Sequence, residues 1–261
     1  DAAPRPQRGP PHTPVIMEPI FAIDMHVRAL STASLGAMAN IMRATHLDEA
    51  IFASLCRESD MYHVLQRCAI LVSRMALTMP PPMFHDMVRA TASWPDLCRR
   101  LISTSATLSH ARSRKLVALG LAHMLRHASA QDKGLLSAVP DMIGMWTEVV
   151  GEVVEDEAGS ADRYERELSP TRALEIGEDG IPFLDEFGLI EAAPTPSSAR
   201  TDAVRSRDPS FNVPLRAYVA DTLNAVLQNG SYKTQLQSLL ATIDPLVLDT
   251  LQRGLSERPV A

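Results

Sequence analysis

Two histidines on one helical segment are the residues whose spacing comes closest to supporting chemistry. His123 and His127 are four residues apart, and side chains at that spacing share one face of a helix, where they can bind a metal ion. No glutamate lies between them in the metalloprotease pattern, and no third ligand is near in sequence. The spacing therefore favours two histidines on a helix flank over a metal site. The same interpretation applies to two further pairs, His85 with Asp86 and Asp60 with His63.

The three cysteines do not form a recognisable reactive or metal-binding pattern. Cys56, Cys68 and Cys98 contain no Cys-x-x-Cys pair and are odd in number, which argues against a zinc site and against a disulfide framework. All three lie in apolar helical surroundings, so we expect buried free thiols and a reducing compartment. The sequence also has no Gly-rich phosphate loop and no Gly-x-Ser-x-Gly elbow, so it offers no motif for phosphate binding or serine hydrolysis.

Acidic residues are concentrated in one segment that could in principle offer paired catalytic acids. Residues 152–191 hold 13 acidic and 3 basic side chains, whereas residues 1–151 carry +3 and residues 192–261 carry +1. Catalysis requires rigid placement, and the scattered glycines and prolines of this segment predict an irregular loop, so solvated charge is the favoured interpretation. We expect no catalytic residue, no cofactor and no metal ligand in this chain.

The charge distribution also limits the partners. The net charge is −6, and no cluster of Lys and Arg matches what a phosphate-binding surface needs, which argues against nucleic acid. A local acidic segment instead permits a basic protein partner. No apolar run is long enough for a membrane span, and no signal peptide is recognisable at Asp1, where the missing initiator Met leads us to expect a piece of a longer protein.

The elements that would position any site are helices. Apolar residues recur at steps of three and four, as in the predicted helix over residues 61–79, and aromatic residues make up only 5% of the chain. Pro80, Pro81 and Pro82 should end that helix. Near the end of the chain, we expect Asp244 to cap a helix that starts at Pro245 and ends at Gly254. Asn229-Gly230 is expected as a left-handed stop before a helix that Ser231 caps.

These signals predict an all-α fold of HEAT-like antiparallel helical hairpins stacked as a solenoid, interrupted by a long acidic insertion loop. We predict a Pro-rich disordered tail over residues 1–15 and helical repeats over 16–154. An acidic, largely irregular insertion should follow over 155–208, and a C-terminal helical hairpin with a last helix over 209–256.

Several stretches towards the end of the chain carry motifs of a known family. From Leu135 to Val150, Pro-Asp precedes a helix with a tryptophan core and an acidic exit. An acidic insertion then leads to a Ser-Pro with a nearby arginine. The residues of these later motifs are Ser169, Pro170, Arg172, Asp208, Pro209, Val213, Leu215, Tyr218, Ile243, Asp244, Pro245, Val247, Leu248 and Leu251. In these features the chain resembles the C-terminal region of importin-β superfamily transport receptors, most closely the importin-11 branch.

The resemblance implies a receptor that shuttles between cytoplasm and nucleus across the nuclear envelope. It implies binding of protein cargo, regulation by Ran-GTP, and contact with Phe-Gly nucleoporins through the full-length receptor. It implies neither an enzyme nor a protein that inserts into membranes. Under this hypothesis, five acidic residues of the loop would contact basic cargo or Ran, or occupy the cargo site when it is empty: Glu155, Asp156, Glu157, Asp185 and Glu186.

Two other interpretations remain open at this point. The first is a helical-repeat scaffold or adaptor subunit of a complex unrelated to nuclear transport, with the same fold and a different partner. The second is an all-α enzyme, which would need a buried polar pocket.

Overall fold

The computed structural model describes residues 20, 23, 24, 27, 32–56, 62–129, 131–132, 134–152, 209–229 and 232–256, without the side chains of 32, 33 and 211. All regular structure in these ranges is helical, with no strand. The predicted all-α fold is confirmed. The Pro-rich tail and the acidic insertion lie outside the described residues, which stop at residue 152 before the insertion and resume at residue 209 after it.

The first six helices form a continuous series joined by short connections. Their bounds are α1 Thr32–Ala44, α2 Leu47–Cys56, α3 Tyr62–Thr78, α4 Pro81–Thr91, α5 Trp94–Ser105 and α6 Ala111–Arg126. A 3-10 turn at Leu136–Ala138 leads into α7, which covers residues 139–152. After residues 153–208 come α8 Pro209–Asn212, α9 Leu215–Gln228, α10 Lys233–Leu240 and α11 Pro245–Ser256.

Helix starts follow the local sequence closely. The triple proline separates α3 from α4, and its second residue, Pro81, takes the first position of α4, where proline's missing N–H costs nothing. Ser93 caps α5, since its hydroxyl accepts the backbone N–H of Asp96 at 3.3 Å. Asp244 caps α11 by accepting the N–H of Leu246 at 2.8 Å, and Pro245 is the first residue of that helix, as predicted.

One predicted stop signal is wrong. Gly254 lies inside α11, which continues to Ser256. A Cβ built on Gly254 would lie 2.9 Å from Cγ1 of Val150, so this glycine serves the packing of α11 against α7. Asn229 is the C-cap of α9 and has an extended backbone (φ −73°, ψ 106°), and the left-handed position of an Asn-Gly stop belongs to the next residue, so this stop stays a prediction. Gly230 and Ser231 lie outside the described residues.

Contacts pass along the chain from one helix pair to the next, as a repeat stack requires. Helices α1, α2 and α4 contact one another, α3 and α5 both contact α2, and α6 contacts both α3 and α5. Helix α9 contacts α6 directly, and α10 and α11 both contact α9. The helices on either side of residues 153–208 therefore belong to one stack.

Helix α6 is the centre of this stack, and Gly120 sets its distance from α3. A Cβ on Gly120 would lie 2.9 Å from the Cα and Cβ atoms of Ser73 and 3.2 Å from its carbonyl oxygen. The two helices thus approach each other closely at a point where any side chain would push them apart. On another side of α6, the fully buried Trp146 of α7 donates its Nε1–H to the carbonyl of Ala118 at 3.1 Å. Glycine at position 120 is thus required by the fold.

Alanine substitutions at two glycines that both lie inside helices separate the effect of packing from the effect of helix propensity. We expect Gly120→Ala to destabilise the chain by about 2 kcal/mol or more, because the new methyl group meets the backbone of Ser73. Gly144→Ala should stabilise it by up to about 1 kcal/mol, because a Cβ there meets nothing within 4 Å. Urea unfolding of both variants followed by circular dichroism measures the two changes, and a Gly120→Ala protein as stable as the wild type would refute the close approach.

Candidate protein-binding groove

An open groove runs between α5 and α7, the two neighbouring helices that both rest on α6. Its volume is about 430 Å³, at the lower end of the range of ligand sites. Helix α5 contributes Arg99, Ile102 and Ser103, together with Ala106 just past its end. The groove is open to solvent along its length, so it suits a chain segment better than an enclosed small molecule.

Helix α7 forms the other wall because of how its apolar residues are spaced. Its buried face includes Met142, Ile143, Trp146, Val149 and Val150, and this stripe rests on the rest of the stack. The opposite face is thereby turned outward. The residues of that face that line the groove are Pro140, Asp141, Gly144 and Glu148, and the buried Met145 lies beneath them.

The α7 rim of the groove is acidic. Arg114 of α6 reaches two carboxylates of α7, with its Nη2 at 3.2 Å from Glu148 and its Nη1 bonded to Glu152. Asp141 is exposed and has no ion-pair partner in the described part of the chain. Across the groove, Arg99 is paired with Asp96 at 2.8 Å on the same helix. The α7 side of the groove therefore presents two exposed carboxylates, Asp141 and Glu148.

The five acidic residues expected to contact a partner lie outside the described residues. Glu155, Asp156 and Glu157 follow α7 in sequence a few residues after Glu152, its last described residue. Asp185 and Glu186 lie further along the same segment. The groove itself was not found by sequence reasoning, because it is a gap between two helices and leaves no motif. The one sequence feature that marks the groove is Gly144, a glycine in the outward face of α7.

A buried carboxylate joins α4, α5 and the connection after α6. Asp132 is 5% exposed, and its carboxylate accepts hydrogen bonds from Nδ1 of His85 at 2.9 Å and Nε1 of Trp94 at 3.1 Å. The backbone N–H and hydroxyl of Ser129 donate to it at 2.7 and 2.8 Å. Burial would raise the pKa of Asp132, but the hydrogen bonds from Ser129 and His85 outweigh it and hold that pKa below its ordinary value.

The partner of His85 is distant in sequence. The neighbouring Asp86 points elsewhere and pairs with Arg89 at 2.6 Å, while the true partner, Asp132, is 47 residues away. No local pattern marks such a contact. Because His85 and Asp132 are both enclosed, no substrate can reach them, and the junction is structural.

A second polar cluster joins α6 to α9, in which His123 and Tyr218 are partly buried and Arg126 and His127 are exposed. Nδ1 of His123 lies 2.5 Å from the hydroxyl of Tyr218, and the rings of His123 and His127 have centroids 4.4 Å apart. Arg126 lies over the Tyr218 ring at 5.5 Å. Burial lowers the pKa of His123 to about 4, and the nearby charges of His127, His85 and Arg126 act in the same direction. His123 is therefore neutral at pH 7 and fixes α9 through Tyr218.

No described residues offer a metal site or a reactive thiol. Within the described ranges, no group of three or more His, Cys, Asp or Glu side chains is placed to bind a metal ion. Burial raises the pKa of the Cys68 and Cys98 thiols to about 12, so both are protonated at pH 7 and poor nucleophiles. Asp60 lies outside the described residues, so its pairing with His63 stays a prediction. None of the helices that the structure describes is long and apolar enough to cross a bilayer.

The lowered pKa of His123 makes stability depend on pH in a known direction. Between pH 6.5 and about 4, the unfolded chain binds a proton at this residue and the folded chain does not. The free energy of unfolding should therefore fall as the pH is lowered from 7 to 5. We expect His123→Gln, which still has a polar group to face Tyr218, to reduce that fall by about 1–2 kcal/mol.

Urea unfolding at both pH values measures this change. His46→Gln is the matched control, because the side chain of His46 is 75% exposed, and it should leave the pH dependence as it is in the wild type. An unaltered pH dependence in His123→Gln would contradict the burial of a neutral imidazole.

One comparison with known proteins identifies the repeats. A model of the family described as importin-11-like TPR repeats matches residues 19–256, which is most of the chain, while no curated protein and no solved structure matches it. TPR and HEAT repeats are both antiparallel helical hairpins that stack side by side, so the match agrees with the helix pairs described above and with the predicted stack of HEAT-like hairpins. The chain belongs to the importin-11-like family of helical-repeat proteins.

Proposed function

We propose that this chain is the C-terminal helical-repeat part of a nuclear import receptor that binds protein cargo and is regulated by Ran-GTP. The observation that carries the proposal is the family match over residues 19–256. Importin-like helical-repeat proteins are transport receptors and not enzymes. The receptor would shuttle between cytoplasm and nucleus through the nuclear envelope, and would contact Phe-Gly nucleoporins as a full-length protein.

The described surface is compatible with a partner-binding role. The groove between α5 and α7 is open and mainly apolar, and protein-binding surfaces use such regions to hold segments of a partner. The cluster around His85 and Asp132 is enclosed within the stack, so it does not provide a site for chemistry on a small substrate. A rigid stack of helices with an open groove supports binding of another macromolecule.

The acidic residues of the insertion would supply the contact with basic cargo. Glu155, Asp156, Glu157, Asp185 and Glu186 belong to a segment with a net charge of −10 over residues 152–191. A field of one sign over a surface raises the association rate of an oppositely charged partner and is screened by salt. These five side chains would therefore act most strongly on basic cargo at low ionic strength.

Neutralising the five carboxylates tests this role. We expect the Glu→Gln and Asp→Asn variant of all five to weaken binding of a basic cargo by about tenfold or more at low salt, with a smaller loss at high salt. The matched control neutralises five other acidic residues of the same segment, namely Glu165, Glu167, Glu175, Glu178 and Asp179. Titration by fluorescence anisotropy at two salt concentrations gives both affinities and the salt slope. Equal losses in the two variants would show that the named positions have no special role.

A second experiment separates a transport receptor from a scaffold outside nuclear transport. The receptor that contains this chain should release its cargo when GTP-loaded Ran is added and retain it with GDP-loaded Ran. It should also bind immobilised Phe-Gly repeat protein, whereas a variant repeat with the phenylalanines changed to serine should fail to bind. Cargo retention under all conditions, together with no binding to the repeats, would support the scaffold alternative.

A further inference from the structure

Three glycines lie well inside the helices around the groove, and two of them are explained by the fold. Gly120 allows α6 to approach Ser73, and Gly254 allows α11 to approach Val150. A glycine within a helix costs roughly 0.5–1 kcal/mol relative to alanine, so such a position calls for a reason. At Gly144 of α7, no atom lies within 4 Å of the place where a Cβ would be, and packing within the described chain gives no reason for it.

Gly144 lies in the wall of the groove between α5 and α7. The missing side chain opens a gap over the backbone of α7, flanked by Met145 on the same helix and by Ile102 and Ala106 on the α5 side. Met145 is almost fully buried and Ile102 partly so, so these side chains form a fixed apolar surface. The gap can accept an aliphatic side chain from outside the chain, and methionine adapts to such a group. Gly151, which also meets no atom, lies in the last described turn of α7 and outside the groove.

Charges on α7 lie on both sides of this gap. Asp141 is three residues before Gly144 and Glu148 is four residues after it, so both carboxylates lie on the same helix face as Gly144. Asp141 has no ion-pair partner in the described part of the chain, and Glu148 shares Arg114 with Glu152. The cation across the groove, Arg99, is already paired with Asp96. A segment entering the groove would thus meet an apolar gap between two carboxylates.

We propose that this groove binds a segment of a partner protein that places an aliphatic side chain over Gly144 and a lysine or arginine against Asp141 or Glu148. The proposal rests on the proposed function and deepens it, since it gives the place and the chemistry of one partner contact. The charged ends favour a basic segment over an uncharged Phe-Gly segment. The open shape favours an extended or helical segment over a small molecule.

Four synthetic peptides of about twelve residues provide the probe. The first has a central leucine with lysines three and four residues to either side, the second has serine in place of the leucine, and the third has glutamates in place of the lysines. The fourth is an uncharged Phe-Gly peptide. Binding to the complete 261-residue chain is followed through the methyl NMR signals of Ile102 and Met145, and affinity is measured by fluorescence anisotropy.

We expect the leucine–lysine peptide to shift both methyl signals and to bind at least about tenfold more tightly than the other three peptides. Gly144→Trp, which fills the gap with an indole ring, should weaken binding of the leucine–lysine peptide by at least about tenfold. Gly151→Trp is the matched control, because a Cβ at Gly151 also meets no atom while Gly151 lies outside the groove, and it should stay within about twofold of the wild type. The double variant Asp141→Lys with Glu148→Lys should bind the leucine–lysine peptide about tenfold more weakly at low salt, with a smaller loss of affinity at high salt.

Any of three results would overturn the proposal. These are unchanged methyl signals at saturating leucine–lysine peptide, equal affinity of Gly144→Trp and wild type, or equal or tighter binding of the Phe-Gly or glutamate peptide. Circular dichroism of each variant checks that the helices are intact. If the wild-type receptor fails to release cargo with GTP-loaded Ran, the proposed function fails. If release and cargo affinity are normal in a receptor carrying Gly144→Trp, the groove proposal alone fails.

Discussion

The close approach of α3 and α6 at Gly120 is the constraint on which the rest of the stack depends. Helix α6 also contacts α5, α8 and α9, and Trp146 fixes α7 to it through the carbonyl of Ala118. Both walls of the groove therefore rest on one helix whose own distance from α3 is set by the absence of a single side chain. Packed interiors transmit small displacements because they contain few voids, so a shift of α6 would move the groove as a whole.

Two polar clusters give this apolar packing a specific geometry. Apolar surfaces can slide past one another at little cost, but a carboxylate such as Asp132, with four donors around it, holds its neighbours in one arrangement. The His123–Tyr218 contact does the same between α6 and α9, which are separated in sequence by the acidic insertion. The first cluster is buried, whereas in the second His123 and Tyr218 are only partly buried. Both fix the relative positions of helices in the stack.

The sequence predicted what depends on neighbouring residues and missed what depends on distant ones. Asp244-Pro245 starts a helix for local reasons of capping and backbone geometry, so its position could be predicted. The pairing of His85 with Asp132, and that of His123 with Tyr218, joins residues 47 and 95 positions apart, and no spacing rule contains such information. Gly120, Gly144 and Gly254 are all glycines in helices, and only the space around each one shows that the first and last serve packing while Gly144 opens a groove.

The central claim is that α6 is the helix on which α3, α5, α7 and α9 pack, including both walls of the groove at which a partner would bind. Hydrogen exchange of the native chain at increasing low concentrations of urea tests it most directly. The account predicts that the amides of α3, α6 and α7 exchange most slowly and only through global unfolding, whereas those of α10 and α11 exchange earlier through local opening. Exchange of α6 through a local opening, while α9 to α11 remain protected, would contradict the account.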